Sequence, residues 1–150
     1  MDRMFTDIRL SRRGFDQMTS DREYVDIGPA GSGDIGTVSG RENLAQAVIN
    51  RLLTRKGDLT RLGHPNYGSK LHTLIGELNN VRFRGKAEIF IRECLAREPR
   101  IAEIVRISFS EPNRFDTRET VMAEIIIRPV PTAGEESRNM SIVLPLNQGI

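Results

Sequence analysis

Two rhythms of apolar residues divide this 150-residue chain. Leu44, Ala45, Val48, Ile49, Leu52 and Leu53 form one broad stripe at helical spacing. Ser39 and Glu42 in "SGRE" have the capping-box form, and Gly57 in "TRKGD" supplies a stop, so a helix is predicted over about 40–55. A second stripe, Phe83, Ala87, Phe90, Ile91, Cys94 and Leu95, predicts a helix over about 81–97 with Asn79 or Asn80 as its cap. Between the two, Gly63, Pro65, Asn66 and Gly68 demand turns. A short helix around Leu71, Leu74 and Ile75 then ends at Gly76.

After Arg100 the period falls from 3.6 to 2. Val105, Ile107 and Phe109 are expected on one face of a strand, opposite Arg106 and Ser108. Val121, Ala123, Ile125 and Ile127 repeat the alternation, and so do Met140, Ile142 and Leu144. Loops of about ten residues, "EPNRFDTRE" and "VPTAGEESRN", join the three runs as an antiparallel meander. Pro145 marks an edge or a strand end. Upstream, "YVDIG" at 24–28 forms at most a short strand. "GPAGSGDIG" at 28–36 reads as a turn, since it lacks the phosphate-loop pattern. The expected fold is therefore α+β: two long helices plus a short one packed on a small C-terminal antiparallel sheet, in a single domain over 1–150.

Composition narrows the function. Twenty-two Lys and Arg against 20 Asp and Glu leave a net charge of +2. Basic and acidic residues interleave, so no nucleic-acid-binding face is expected. One cysteine, Cys94, rules out an intrachain disulfide and a Cys-based zinc site, and on the buried stripe it reads as a core residue. His64 and His72 have no metal-ligand spacing. No apolar run approaches a membrane span, and the first residues lack the apolar core of a secretory signal. No carboxylate pair with split environments, no GxSxG and no Trp is present, and aromatics are 5% of the chain. No catalytic, cofactor-binding or metal residues are assigned, and a structural or binding protein is expected rather than an enzyme.

One corner stands out. "EPRI" at 98–101 closes the second helix, and Pro99 biases Glu98 toward extended backbone. In extended chain Glu98 and Arg100 would project together. Read from residues alone, they are either a charged helix stop or a docking site. As a surface ion pair they would give the free fold only about 0–1 kcal/mol.

The blocks "DIGTVSGRENLAQAVINRLLTRKGDL" (34–59), "HPNYGSKLHTLIG" (64–76) and "EPRI" (98–101) occur in this order. Together they resemble the baseplate-wedge proteins of contractile phage tails, the sheath-initiator family, with relatives in type VI secretion baseplates and extracellular contractile injection systems. The resemblance covers about 34–130, and residues 1–33 form a segment that varies among family members.

The resemblance implies a structural subunit of a six-fold ring, made in the bacterial cytoplasm and housed in the tail or injection-system baseplate. Its implied partners are the wedge core proteins, the tail sheath protein and, as further candidates, tube or hub proteins. Glu98, Pro99 and Arg100 match the family's Glu-Pro-Arg motif, which implies docking on the wedge core. Its strands imply strand exchange with sheath subunits, for which Ile126 and Val143 are the outward-facing candidates. The alternative is a tail-associated cell-wall hydrolase, because some relatives carry a lysozyme-like label. Incubation with peptidoglycan separates the two.

Overall fold

In the computed structural model the described residues are 6–13, 24–27, 30–111, 121–134 and 136–146. They belong to two compact units, residues 1–47 with residue 150, and residues 48–149. The expected loop "EPNRFDTRE" lies, beyond its first residue, outside the described residues.

The first unit contains β1 (Asp7–Ile8), β2 (Leu10–Arg13), β3 (Tyr24–Ile27) and β4 (Thr37–Val38). β1 pairs antiparallel with β4, and β2 with β3. Helix α1 (Gly40–Leu53) begins here and ends in the second unit. Its Gln46 amide ties down the β1–β2 junction. The Gln46 Oε1 accepts from the Leu10 N–H at 2.9 Å, and its Nε2 donates to the Ile8 carbonyl at 2.9 Å. Glu42 does not close the expected capping box. Its carboxylate receives both Nη groups of Arg9, at 2.7 and 3.2 Å, a fork geometry that competes with the single Ser39 N–H.

In the second unit, the last turns of α1 bury Val48 and Leu52. The chain then turns through Gly57 (φ 100°) and returns across the end of the helix. The Ser69 N–H donates to the Thr54 carbonyl at 2.8 Å, and the Lys56 N–H to the Ser69 carbonyl at 2.9 Å. The Ser69 hydroxyl donates to the Leu52 carbonyl at 2.5 Å. Two acceptors at the helix end, the Leu52 and Thr54 carbonyls, and one donor just beyond it, the Lys56 N–H, are thus satisfied by one crossing segment. The crossing requires glycine at 68, where φ is 97° and a Cβ would stand 2.6 Å from the Thr54 carbonyl oxygen. Gly68→Ala is expected to destabilise the protein by about 2 kcal/mol or more, from the left-handed backbone and the clash together. A melting temperature within a degree of wild type would contradict this.

Helix α2 (Val81–Leu95) starts at Asn80, whose side chain accepts the Phe83 N–H at 2.9 Å. It buries Phe83, Ala87, Ile91, Cys94 and Leu95, while Phe90 is only half-buried. The helix packs on β5 and on the segment 71–74. β5 (Ile101–Phe109), β6 (Met122–Pro129) and β7 (Met140–Pro145) form one antiparallel sheet in that order. Val121 and, on β6, Ala123, Ile125 and Ile127 are fully buried, as are Ile142 and Leu144 on β7. Each of these Val, Ile and Leu side chains contributes about 1.5–3 kcal/mol of burial.

The expected fold is corrected in two respects. The short helix is a single 3-10 turn, Leu71–Leu74, because the bonds at Ser69 and the break at Gly76 leave too few residues for an α-helical nucleus. The strands are also not confined to one C-terminal sheet, since two further strand pairs lie in the first unit. A third correction concerns Val105. The β5–β6 register shifts between Ile101 and Glu103 and again between Ile104 and Arg106. The second shift places Ile104 opposite Ile127 and leaves Val105 40% exposed instead of facing the core with Ile107.

Candidate docking corner and sheet edge

Two proline turns approach the C-terminal end of α1. In residues 64–67 the Tyr67 N–H donates to the His64 carbonyl at 3.2 Å, and in residues 98–101 the Ile101 N–H donates to the Glu98 carbonyl at 3.1 Å. Each carries proline at its second position, where the ring pre-sets φ. The Glu98–Arg100 corner is therefore a β-turn and not the extended segment expected from Pro99. Its far end is tied to the sheet, for the Arg100 carbonyl accepts the Val130 N–H at 2.9 Å.

The turn still brings Glu98 and Arg100 together. The Glu98 Oε1 accepts from the Arg100 Nε at 2.7 Å and from the Arg100 backbone N–H at 3.4 Å. Its Oε2 accepts from the Arg51 Nη2 at 3.5 Å. The Arg51 guanidinium lies over the Tyr67 ring, 4.6 Å from its centroid, and the Arg51 carbonyl accepts the Cys94 thiol at 3.7 Å. The Glu98 side chain is 4% exposed and that of Arg100 28%, while Pro99 is exposed at the apex. Glu98 is therefore buried, where a surface ion pair was expected.

Burial pushes the Glu98 carboxyl upward, but the hydrogen bonds and charge of Arg100, joined by Arg51, outweigh it and hold the group below the usual carboxylate range. Burial pushes the Tyr67 hydroxyl up against the opposing charge of Arg51. Burial likewise pushes the Cys94 thiol up to about 11. The cluster is thus an ionised, saturated carboxylate flanked by neutral Tyr and Cys. It offers charge and shape for binding. Arg51 and Tyr67 escaped sequence reasoning, although the proline turn "HPNY" was visible and aims Tyr67 here.

Ile126 and Val143 lie apart from this corner, on the outer face of the sheet. Ile126 is half-buried on the central strand, between Arg106 of β5 and Ser141 of β7. Val143 is 54% exposed on β7, opposite Glu124. Glu124 accepts from the Ser141 hydroxyl at 2.9 Å and the Ser108 hydroxyl at 3.3 Å.

The ladder phase separates the two residues. The Leu146 N–H donates to the Val121 carbonyl, and the Ser110 N–H to the Met122 carbonyl. Antiparallel bonding alternates. Val143 and Ser141 therefore direct their backbone N–H and C=O groups away from β6, whereas Ile126 spends its own on β5. Ile126 is thus unsuited to strand exchange by its backbone. No further strand pairs with β7 among the described residues.

Among the described residues no group of His, Cys, Asp or Glu could hold a metal, and no helix is long and apolar enough to cross a membrane. A family model, described as the contractile injection system sheath initiator, matches residues 5–122. No curated protein matches the chain. A solved structure from Geobacter sulfurreducens, described as a candidate tail lysozyme, is 23% identical with a TM-score of 0.54. The match covers 73% of this chain and 94% of that one. That likeness concerns the fold alone.

Proposed function

From the premise that the chain belongs to the contractile injection system sheath initiator family, we propose that it seeds sheath growth by adding a sheath strand to the edge of β7. The phase of the β6–β7 ladder carries this reading: Ser141 and Val143 turn unshared backbone groups outward along a regular strand. The opposite edge is less suited. β5 is broken by two register shifts and bears Glu103 and Arg106, devices that discourage pairing. β7 bears no charged residue from Met140 to Pro145.

The protein sits in the baseplate of a tail or injection system as one subunit of a six-fold ring. The Glu98–Pro99–Arg100 corner docks it on wedge core proteins. Pro99 and the outer edge of Arg100 are the parts a partner can reach, and Glu98 holds Arg100 in place from beneath. The hydrolase alternative is disfavoured by the state of Glu98. General acids in glycoside hydrolysis need a raised pKa, and the one buried carboxylate among the described residues is held low.

Val143→Pro tests the edge. It removes an outward N–H without touching the bonds to β6, so the variant is expected to fold and enter baseplates but to leave them without sheath in electron micrographs. Full-length sheath on the folded variant would refute the edge. Ile126→Pro, which breaks the β5–β6 ladder, is expected to destabilise the protein itself by several kcal/mol.

A further inference from the structure

A small cleft opens between the segment that crosses the end of α1 and the C-terminal half of α2. Lys56, Asn66, Lys70, Phe90, Glu93 and Arg97 line it, with Cys94 at its wall. Three cations face one carboxylate there. On the neighbouring turns of α2 opposite charges pair closely, with Lys86–Glu77 at 2.8 Å and Arg92–Glu88 at 2.8 Å. At the cleft they do not. Lys56, Lys70, Arg97 and Glu93 form no ion pair among the described residues, although all four share one rim.

Part of this has a local cause. Lys56 and Arg97 follow the C-termini of α1 and α2, where positive charge is favoured by the helix dipoles. The dipoles do not account for Lys70, whose ammonium is held over the Phe90 ring, 5.9 Å from its centroid. Nor do they account for the failure of Glu93 to pair. The Ser69 hydroxyl is committed to the Leu52 carbonyl, so the donors left for a visitor are the three cations and the Asn66 amide. Burial keeps the thiol at the wall protonated, and Glu93 is the one carboxylate among the residues that line the cleft.

We infer that this cleft receives an acidic side chain, Asp or Glu, from an exposed segment of a partner protein. The fixed positive charge of Lys56, Lys70 and Arg97 at the cleft's rim suits a carboxylate, and one aromatic ring beneath a lysine is too little to stack successive nucleotide bases. The inference does not depend on the β7 edge or on the Glu98 corner.

The test is an amide-resolved NMR titration of the full chain with N-acetyl hexaglutamate at low salt. Hexaglutamine and inorganic phosphate serve as parallel arms. Hexaglutamate is expected to shift the amides of Gly68, Ser69, Lys70, Glu93 and Arg97, weakly and with loss in high salt. Changing Lys56, Lys70 and Arg97 together to Gln is expected to reduce affinity about tenfold or more. The Arg55→Gln/Arg61→Gln pair, exposed cations on the same segment outside the cleft, is expected to leave it within about twofold. Should the triple variant fail to fold, Lys70→Gln alone is expected to lower affinity about threefold. The inference is overturned by an absence of shifts, by shifts that survive the cleft substitutions, or by equal loss in the Arg55/Arg61 variant. It is also overturned if hexaglutamine or phosphate reproduces the pattern with equal affinity.

Discussion

Replacing Glu98 with alanine is expected to lower the stability of the isolated protein by about 3–5 kcal/mol. As half of a surface pair the residue would be worth only about 0–1 kcal/mol. Its position overturns that value. The side chain is 4% exposed and bridges Arg51, at 3.5 Å, to Arg100, at 2.7 Å. Removing it leaves two guanidinium groups close together and only partly hydrated, with Arg51 already lacking a hydrogen bond at its Nε among the described residues.

Glu98→Gln refines the test, because the folded state holds the Glu98 carboxyl below its ordinary value. A depressed folded pKa gives stability that is present above the unfolded value, about 4.3, and is lost as pH falls through the folded one. The gap in melting temperature between wild type and Glu98→Gln should therefore be widest at neutral pH and close below about pH 4. A gap that stays constant from pH 7 to pH 3 would show that the charge of Glu98 contributes nothing to the fold.

Arg100→Ala is expected to have the largest effect on assembly. If the corner docks on the wedge core, loss of a buried, hydrogen-bonded charge at that interface costs about 2–5 kcal/mol of binding. That is a fall in affinity of about 30-fold to several thousand-fold. The isolated protein also loses something, about 1.5–3 kcal/mol for a hydrogen bond to a charged group, since the Arg100 Nε holds the Glu98 carboxylate. Glu98 keeps Arg51 as a partner, so the variant should remain folded at growth temperature.

The measurement is co-purification with wedge core proteins, at a temperature where circular dichroism shows the variant folded. Arg100→Lys should recover part of the stability but little of the docking, because an ammonium lacks the planar fork. Wild-type yield of baseplates from folded Arg100→Ala would remove the corner from the interface.

The helices were legible where burial follows a long stripe. Phe83, Ala87, Ile91, Cys94 and Leu95 recur at helical spacing over four turns, and all five are buried. The inner face of β6 was legible for the same reason, through the alternation ending at Ile127. Val105 was not, because a bulge adds one residue and reverses the faces beyond it without any change in composition. β1 and β4 are two residues long, too short for alternation to register.

The setting of Glu98 includes Arg51, 47 positions away, and Arg51 in turn lies over the ring of Tyr67 from a separate turn. Local pattern carries none of that. The motif around Glu98 could be read from the sequence, but not what it rests on. The separation of Val143 from Ile126 likewise needed the ladder phase, which hydropathy does not encode, since both are β-branched residues on one outer face.

The central claim is that β7 accepts a strand from the sheath, and hydrogen–deuterium exchange at its amides tests that most directly. Baseplates bearing this protein would be compared before and after addition of sheath subunits. The account predicts that exchange at Ser141 and Val143 slows by about tenfold or more, as outward N–H groups gain carbonyl partners, with no matching change along β5. Unchanged exchange at Ser141 and Val143 in sheathed particles, or protection confined to β5, would contradict it.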